Sequence, residues 1–159
     1  MSFIVDFDSE KCTGCGACAI ACMDYKDIDL KFHKPLRQII TKEWIRNGIT
    51  KVEFISAACM HCEDAPCADI CPRGCIYKNK ENGLTDYDNS LCVGCKVCAS
   101  VCQYNAISFD SNHKMQKCTG CIERLELELL PSCCEACPQK AIIFMRNDEM
   151  TSAIENISR

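Results

Sequence analysis

The chain lacks the features of a secreted or membrane-inserted protein. Its first residues, 1–8, contain no basic segment followed by an apolar stretch, and there is no twin-arginine signature. We therefore expect no signal peptide. No stretch approaches the roughly 18 apolar residues that a membrane span requires. These absences predict a cytoplasmic chain with no direct membrane span, and export bound to a partner remains an alternative.

Catalytic fingerprints and excess positive charge are missing as well. The sequence contains no glycine-rich nucleotide-binding motif and nothing typical of flavin or pterin binding. Lys and Arg total 18 against 22 Asp and Glu, which gives a formal net charge of −4. Acidity argues against nucleic acid and anionic lipid as partners and favours basic protein surfaces. We expect a non-catalytic protein that docks to other proteins.

Cysteine, by contrast, is abundant, with 18 residues in a chain of 159. Such a density is typical of disulfide scaffolds, but these need an oxidising compartment. In a reducing compartment the same density indicates metal or redox chemistry. The aliphatic and aromatic residues that remain make only a modest core. We therefore expect metal centres to supply much of the core and of the folding energy.

Sixteen of the cysteines fall into four groups with related spacings, which form an internal repeat. Groups one and three have the spacing C-x2-C-x2-C-x3-C, group two has C-x2-C-x4-C-x3-C, and group four has C-x2-C-x11-C-x3-C. Acidic strand ends precede groups one and three, and short apolar runs follow groups two, three and four, so that each unit reads as strand, cysteine loop, helical turns and strand. The groups are Cys12, Cys15, Cys18 and Cys22; Cys59, Cys62, Cys67 and Cys71; Cys92, Cys95, Cys98 and Cys102; and Cys118, Cys121, Cys133 and Cys137.

These spacings predict 4Fe–4S cubanes. Three closely spaced thiolates can bind three irons of one cube, whereas the fourth cysteine of such a run ligates a second cluster. The pattern therefore predicts four clusters, arranged in pairs that each join two distant groups. Four cubanes at about −2 each would bring the charge to roughly −12. Structural zinc is disfavoured because it uses separated C-x2-C pairs and would leave ligands over.

Two cysteines, Cys75 and Cys134, remain outside the groups. We interpret both as packing residues, because buried cysteine behaves as a small apolar side chain. In group four Cys133 is preferred to its neighbour as a ligand. It reproduces the x3-C-P ending of group two, where Pro72 follows the last cysteine as Pro138 does here.

The segments between and after the groups carry weaker signals. Partial alternation on both sides of Asn47-Gly48 predicts a β-hairpin. Ile122, Leu125 and Leu129 lie at helical spacing, and this predicts a helix that Pro131 ends. From Met145 onward the sequence is polar and weakly helical.

Nearly the whole chain, about residues 3–144, resembles the four-cluster iron–sulfur subunits of DMSO-reductase-type molybdenum and tungsten enzymes. The resemblance lies in the following motifs: Cys12-Thr13-Gly14-Cys15 through Ala21-Cys22; His61-Cys62-Glu63-Asp64-Ala65-Pro66-Cys67; Cys118-x2-Cys121-x2-Arg124; and Pro131-Ser132-Cys133-x3-Cys137-Pro138. The segment from Asp24 to Asp29, followed by Pro35-Leu36-Arg37, is similar to the dimethyl-sulfoxide-reductase branch.

The resemblance implies an interleaved set of ligands. Cluster 1 would be held by Cys12, Cys15, Cys18 and Cys137. Cluster 2 would be held by Cys59, Cys62, Cys67 and Cys102. Cluster 3 would be held by Cys71, Cys92, Cys95 and Cys98. Cluster 4 would be held by Cys22, Cys118, Cys121 and Cys133.

The expected fold is α+β, with two interleaved two-cluster ferredoxin-like modules and a core dominated by clusters. Residues 1–32 and 113–144 would form the outer module and 56–112 the inner one. Residues 33–55 would form a hairpin insertion and 145–159 a polar tail. The resemblance implies a non-catalytic subunit that passes single electrons to or from a large molybdenum or tungsten pterin subunit, with a further electron-transfer or hydrogenase subunit as another possible partner. The alternatives are a subunit of a hydrogenase or formate dehydrogenase complex and a free-standing polyferredoxin.

The cluster count has a direct test. Protein purified without exposure to oxygen should contain about sixteen irons and about sixteen sulfides, because each cubane carries four of each. Iron and acid-labile sulfide assays on the same sample measure both. A content near eight irons, or stoichiometric zinc, would contradict the prediction.

Overall fold

The computed structural model of the protein describes residues 3–146, and its helices and strands are short. The strands are β1 (Phe3–Phe7), β2 (Gln38–Arg46), β3 (Ile49–Ala57), β4 (Ile76–Lys78), β5 (Thr85–Tyr87), β6 (Ser108–Phe109), β7 (Met115–Gln116) and β8 (Ile142–Arg146). The helices are α1 (Ala17–Tyr25), α2 (Pro66–Asp69), α3 (Val97–Ser100), α4 (Ile122–Leu125) and α5 (Ser132–Glu135). Most of the described chain is therefore loop, which needs tertiary contacts to stay ordered.

These elements pair in a nested order. β1 pairs antiparallel with β8, with Phe3 opposite Arg146, and α1 packs against α5. Between them, β4 pairs with β5, β6 pairs with β7, and α2 packs against α3. The β6–β7 pairing carries the inner group of elements to Gln116, past the predicted boundary at residue 112. Elements near the two ends of the described chain thus meet each other and enclose those in the middle.

The core is small and rich in cysteine. One buried cluster consists of Cys75, Ile76, Cys92, Cys98, Ile107 and Met115. The other consists of Cys18, Cys133, Cys134 and Ile142. Burying an aliphatic side chain contributes about 1.5–3 kcal/mol, so the few aliphatic residues here supply little of what ordering this chain requires. The thiols therefore occupy the positions where a larger apolar core would otherwise lie.

A long hairpin projects from this core. β2 pairs with β3 along nine residues each, and Asn47 and Gly48 form the turn with φ of 53° and 74°. Positive φ at both positions is what a type I′ turn requires. The hairpin spans 38–57, whereas the sequence suggested 33–55. Its base lies beside the cysteine loops, but its tip is open to solvent, with Ile45 76% exposed.

Two sequence-based boundaries are corrected by the structure. The helix expected through Leu129 ends at Leu125, because Glu128 adopts a left-handed φ of 59°. The Leu129 N–H then donates to the carbonyl of Arg124, which closes the helix as a Schellman motif does. Met145 and Arg146, the first two residues of the expected tail, instead pair with β1. The rest of that tail lies outside the described residues.

In the described range, 3–146, no helix is long and apolar enough to cross a membrane.

Candidate metal centres

Cysteines of groups one and four line a common cavity near the base of the hairpin. Cys12, Cys15 and Cys18 approach it from the loop before α1 and from its first turn, and Cys137 approaches from the segment after α5. The loop turns through two left-handed glycines, Gly14 and Gly16, with φ of 70° and 78°. A side chain would be strained there. The four thiols implied for cluster 1 therefore share one cavity.

A second cavity lies next to the C-terminal part of α1, where Cys22 lines it. It is lined by the four thiols that the resemblance implies for cluster 4, and Cys134 lines it too. Cys59 and His61 of group two also reach this cavity, so it adjoins the inner group of elements. The four implied ligands are Cys22, Cys118, Cys121 and Cys133.

A third cavity, of about 700 Å³, is lined by the thiols implied for cluster 2. Cys59 and Cys62 lie in the loop leading into α2, Cys67 lies within α2, and Cys102 follows α3. The packing of α2 against α3 brings group two and the end of group three together.

Three thiols of the fourth set lie in the inner core or pack against it. Cys92 and Cys98 are buried there, and Cys71 packs against them. Burial, and then the neighbouring Cys71 and Cys95 thiols, raises the pKa of Cys98 to about 11. The Sγ of Cys71 lies 3.3 Å from that of Cys75, so the spare thiol adjoins this set. All four cysteines implied for cluster 3 are therefore neighbours.

Backbone N–H groups donate to several of these sulfurs at distances of 3.3–3.5 Å. The donors and acceptors are Met115 to Cys92, Ala106 to Cys102, Gly120 to Cys118 and Ala141 to Cys137. Hydrogen bonds to cysteine sulfur are one of the means by which a protein adjusts the potential of an iron–sulfur cluster.

Burial raises the pKa of several of these thiols. The pKa of Cys22 rises to about 12 because of burial and the adjacent Cys118 and Cys133 thiols. Burial is also the main cause that raises the pKa of Cys59 to about 11. Thiolates, not thiols, bind metal. Bound iron must therefore supply the positive charge that makes deprotonation favourable, and cluster binding is coupled to proton release and folding.

One unpaired polar atom shows that the second cavity suits a cluster. His61 is buried, and its Nδ1 accepts a hydrogen bond from the Thr85 N–H at 3.1 Å. A neutral imidazole that accepts at Nδ1 carries its proton on Nε2, and burial lowers the pKa of His61 to about 3, which keeps the ring neutral. Among the described residues Nε2 has no partner. A donor beside a cavity lined by thiols fits the sulfur-rich surface of a cubane.

Two buried cations accompany the thiols, and sequence reasoning missed both. Arg37 is 4% exposed and donates to the carbonyl and hydroxyl oxygens of Ser56, whose Oγ lies 3.3 Å from the Sγ of Cys18. Lys117 is fully buried. The only available signals were the basic residue next to Cys118 and the Pro35-Leu36-Arg37 segment, and neither indicates burial.

The donor set of these sites suits a cluster of several irons. Within residues 3–146, no His, Cys, Asp or Glu side chains are grouped so as to hold a single metal ion. Each of the four sets nevertheless supplies four thiols, the ligand set of a 4Fe–4S cubane. The cysteines present therefore fit the cofactor that their spacing predicts.

Comparison with known proteins gives the class directly. Two protein-family models, both described as "4Fe-4S dicluster domain", match residues 50–147 and 11–75 of the sequence. The protein is therefore a ferredoxin-like binder of 4Fe–4S clusters.

Relatives narrow the class further. The thiosulfate reductase electron transfer subunit PhsB of Salmonella typhi is 34% identical over 149 residues, covering 92% of this chain and 77% of the relative. A subunit of the anaerobic dimethyl sulfoxide reductase of Escherichia coli K12 is 35% identical over 151 residues, with coverages of 90% and 73%. Protein NrfC of the same strain is 33% identical over 154 residues, with coverages of 96% and 69%. The protein belongs to the family of iron–sulfur electron-transfer subunits of molybdoenzymes, as its motifs predicted.

The choice between Cys133 and Cys134 can be tested. The pKa of Cys133 falls to about 6, first because Cys134 donates a hydrogen bond to it and then because the Arg37 guanidinium lies nearby. The pKa of Cys134 is raised by the same pairing and by burial. We expect Cys133→Ser to lose about four irons and Cys134→Ser to keep them, because serine oxygen is a poor substitute for a ligating thiolate.

Iron content after anaerobic purification measures this difference. The two adjacent substitutions serve as controls for each other, since both remove one buried thiol from α5. Loss of iron from Cys134→Ser alone would reverse the assignment.

Proposed function

We propose that this electron-transfer protein holds four 4Fe–4S clusters with the interleaved ligands given above. The observation that supports this most directly is the set of three cavities, each lined by one implied quartet. Two of these quartets combine cysteines from groups one and four, which lie near opposite ends of the described chain. The nested pairing of β1 with β8 and of α1 with α5 is the backbone arrangement that such ligation needs.

The proposed clusters form a linear path in the order 1, 4, 2, 3. Cys18 of cluster 1 adjoins Cys133 of cluster 4. The cavity of cluster 4 is also lined by Cys59 of cluster 2. Clusters 2 and 3 meet where α2 packs against α3. Each step of the proposed electron path therefore joins two neighbouring clusters.

The ends of this path are the places where the ligands reach solvent. Cys15 of cluster 1 and Cys95 of cluster 3 are the exposed cysteines of the described chain, and all others there are buried or half-buried. Apolar side chains are exposed in the same segments, with Ile20 at 64% and Val93 at 63%. Exposed apolar residues beside an accessible cluster ligand suit protein docking. Electrons would enter at one end and leave at the other.

The proposed partner at one end is a large subunit that carries a molybdenum or tungsten pterin cofactor. The names of two relatives place them in thiosulfate and dimethyl sulfoxide reductases. A further redox subunit would contact the other end. Placement in the cytoplasm, or export together with the partner, stays a prediction. The alternatives from the sequence are a hydrogenase or formate dehydrogenase complex and a free-standing polyferredoxin.

Substitution of Cys137 tests the interleaved ligation. We expect Cys137→Ser to damage the cluster built on Cys12, Cys15 and Cys18 and to leave the one built on Cys118 and Cys121 intact. The reason is that Cys137 lines only the cavity of cluster 1 among those described. Iron content and electron paramagnetic resonance of the reduced protein measure the loss, with Cys22→Ser as the matched variant for cluster 4. An exchange of the two outcomes would refute the interleaved assignment.

Anaerobic affinity purification from the native host tests the partner. A subunit should be recovered with a much larger polypeptide that contains molybdenum or tungsten and a pterin, measured by metal analysis and pterin fluorescence. Since only one end should face this polypeptide, either Ile20→Asp or Val93→Asp should reduce its recovery severalfold while the iron content stays unchanged. A protein recovered alone, able to reduce several unrelated acceptors, would instead support the polyferredoxin. A large nickel–iron partner would support the hydrogenase alternative.

A further inference from the structure

Lys117 connects the two nested parts of the protein. Its side chain is fully buried. The Nζ atom donates to the carbonyl of Thr85 at 2.5 Å and to the carbonyl of Cys118 at 2.7 Å. Thr85 begins β5 among the inner elements, whereas Cys118 is the first cysteine of group four. The ammonium therefore lies at the boundary between the inner and outer elements.

This buried ammonium has no carboxylate partner in the part of the chain that the structure describes. Lys11–Asp8, Lys26–Glu123 and Arg124–Glu135 are ion pairs there, and none of them includes Lys117. Moving an ammonium out of water costs several kcal/mol even after relaxation. Two carbonyl dipoles and the face of the Tyr87 ring, 5.8 Å away, carry no net charge to balance it. Some other anion must make this burial tolerable.

The nearest candidates for that anion are the proposed clusters. Lys117 lines the cavity shared by Cys59, Cys62, Cys67 and Cys102. Its charge lowers the pKa of both Cys59 and Cys67, against the larger effect of burial, which raises them. The Lys117 Nζ also contacts the backbone of Cys118, a proposed ligand of cluster 4. One cation thus stands between two sites that would each hold an anionic cubane.

We propose that the charge of Lys117 raises the reduction potentials of clusters 2 and 4. These are the two clusters between which electrons would cross from the outer elements to the inner ones. This rests on the ligand sets proposed above. Uptake of one electron makes a cubane more negative by one charge. A nearby buried cation stabilises that extra charge more than it stabilises the oxidised form, and the effect is large because water does not screen it.

A purely structural role would have different consequences. If Lys117 served only to link the carbonyls of Thr85 and Cys118, its loss would weaken the junction without changing the potential of a correctly loaded cluster. The charge role predicts a change in potential even when the iron content is complete. A measurement of the reduction potential therefore distinguishes the charge role of Lys117 from a purely structural role.

The experiment is a redox titration of the purified holoprotein, followed by electron paramagnetic resonance, for the native protein, Lys117→Met and Lys117→Arg. Signals are assigned to clusters with Cys137→Ser for cluster 1, Cys67→Ser for cluster 2, Cys95→Ser for cluster 3 and Cys22→Ser for cluster 4. At the native midpoint potential, Lys117→Met should lower the reduced-to-oxidised ratio of clusters 2 and 4 about tenfold, which is a shift of about 59 mV for a one-electron couple. Clusters 1 and 3 should be unchanged, and Lys117→Arg should stay close to native because it keeps the charge.

Lys114→Met is the matched control. Lys114 Nζ also donates to a backbone carbonyl, that of Cys92 at 2.5 Å, but lies beside group three. Its loss should leave clusters 2 and 4 unaffected. Native potentials in a fully loaded Lys117→Met would overturn the proposal, and so would an equal effect from Lys114→Met.

If Lys117→Met does not retain its iron, Lys117→Arg decides the question. The proposal then requires its clusters 2 and 4 to titrate as in the native protein, and a marked fall in either would overturn it. Failure of the proposed ligand sets would be recognised separately, because it would show as exchanged outcomes for Cys137→Ser and Cys22→Ser, and a wrong cluster number would show as a low iron content in the native protein.

Discussion

The interaction on which the rest of this structure depends is the bond between buried thiolate and iron. Burial favours the protonated form of several of these thiols, and crowding of thiols in one place adds to the effect, as the raised pKa values of Cys22 and Cys98 show. Metal charge reverses this preference. Because the helices and strands are short and the aliphatic core is small, the same bonds that hold the cofactor must also supply much of the folding free energy. Cofactor binding and folding are therefore one process here.

The nested topology follows from the same constraint. A run of closely spaced cysteines can supply three ligands to one cubane, and its fourth cysteine lies beyond reach of that cube. The missing ligand must come from another group, and the structure brings group four to group one through the β1–β8 ladder and the contact between α1 and α5. Cross-links of this kind between distant segments replace the long-range packing that a larger apolar core would provide.

Features that depend on local spacing could be predicted from the sequence. Features that depend on contacts between distant segments were predicted less well. The four cysteine groups, the iron–sulfur class and the Asn47-Gly48 turn are all encoded within short segments. The end of α4 could not be predicted, because the left-handed Glu128 is not a residue type that favours that conformation. Nor could the burial of Arg37 and Lys117, since basic residues are almost always exposed unless they are paired. Their partners come from other segments and exist only once the fold has formed.

The distribution of charge sets this protein apart from an ordinary acidic domain. Its formal charge is negative overall, and cluster binding would make it more so, yet two cations are buried inside it. Arg37 adjoins Cys18 and Cys22, where the proposed clusters 1 and 4 meet. Lys117 occupies the next boundary along the proposed path. Neighbouring anionic centres repel each other most strongly where water is excluded. A cation at each such boundary therefore reduces the repulsion between centres that must lie close together for electrons to pass.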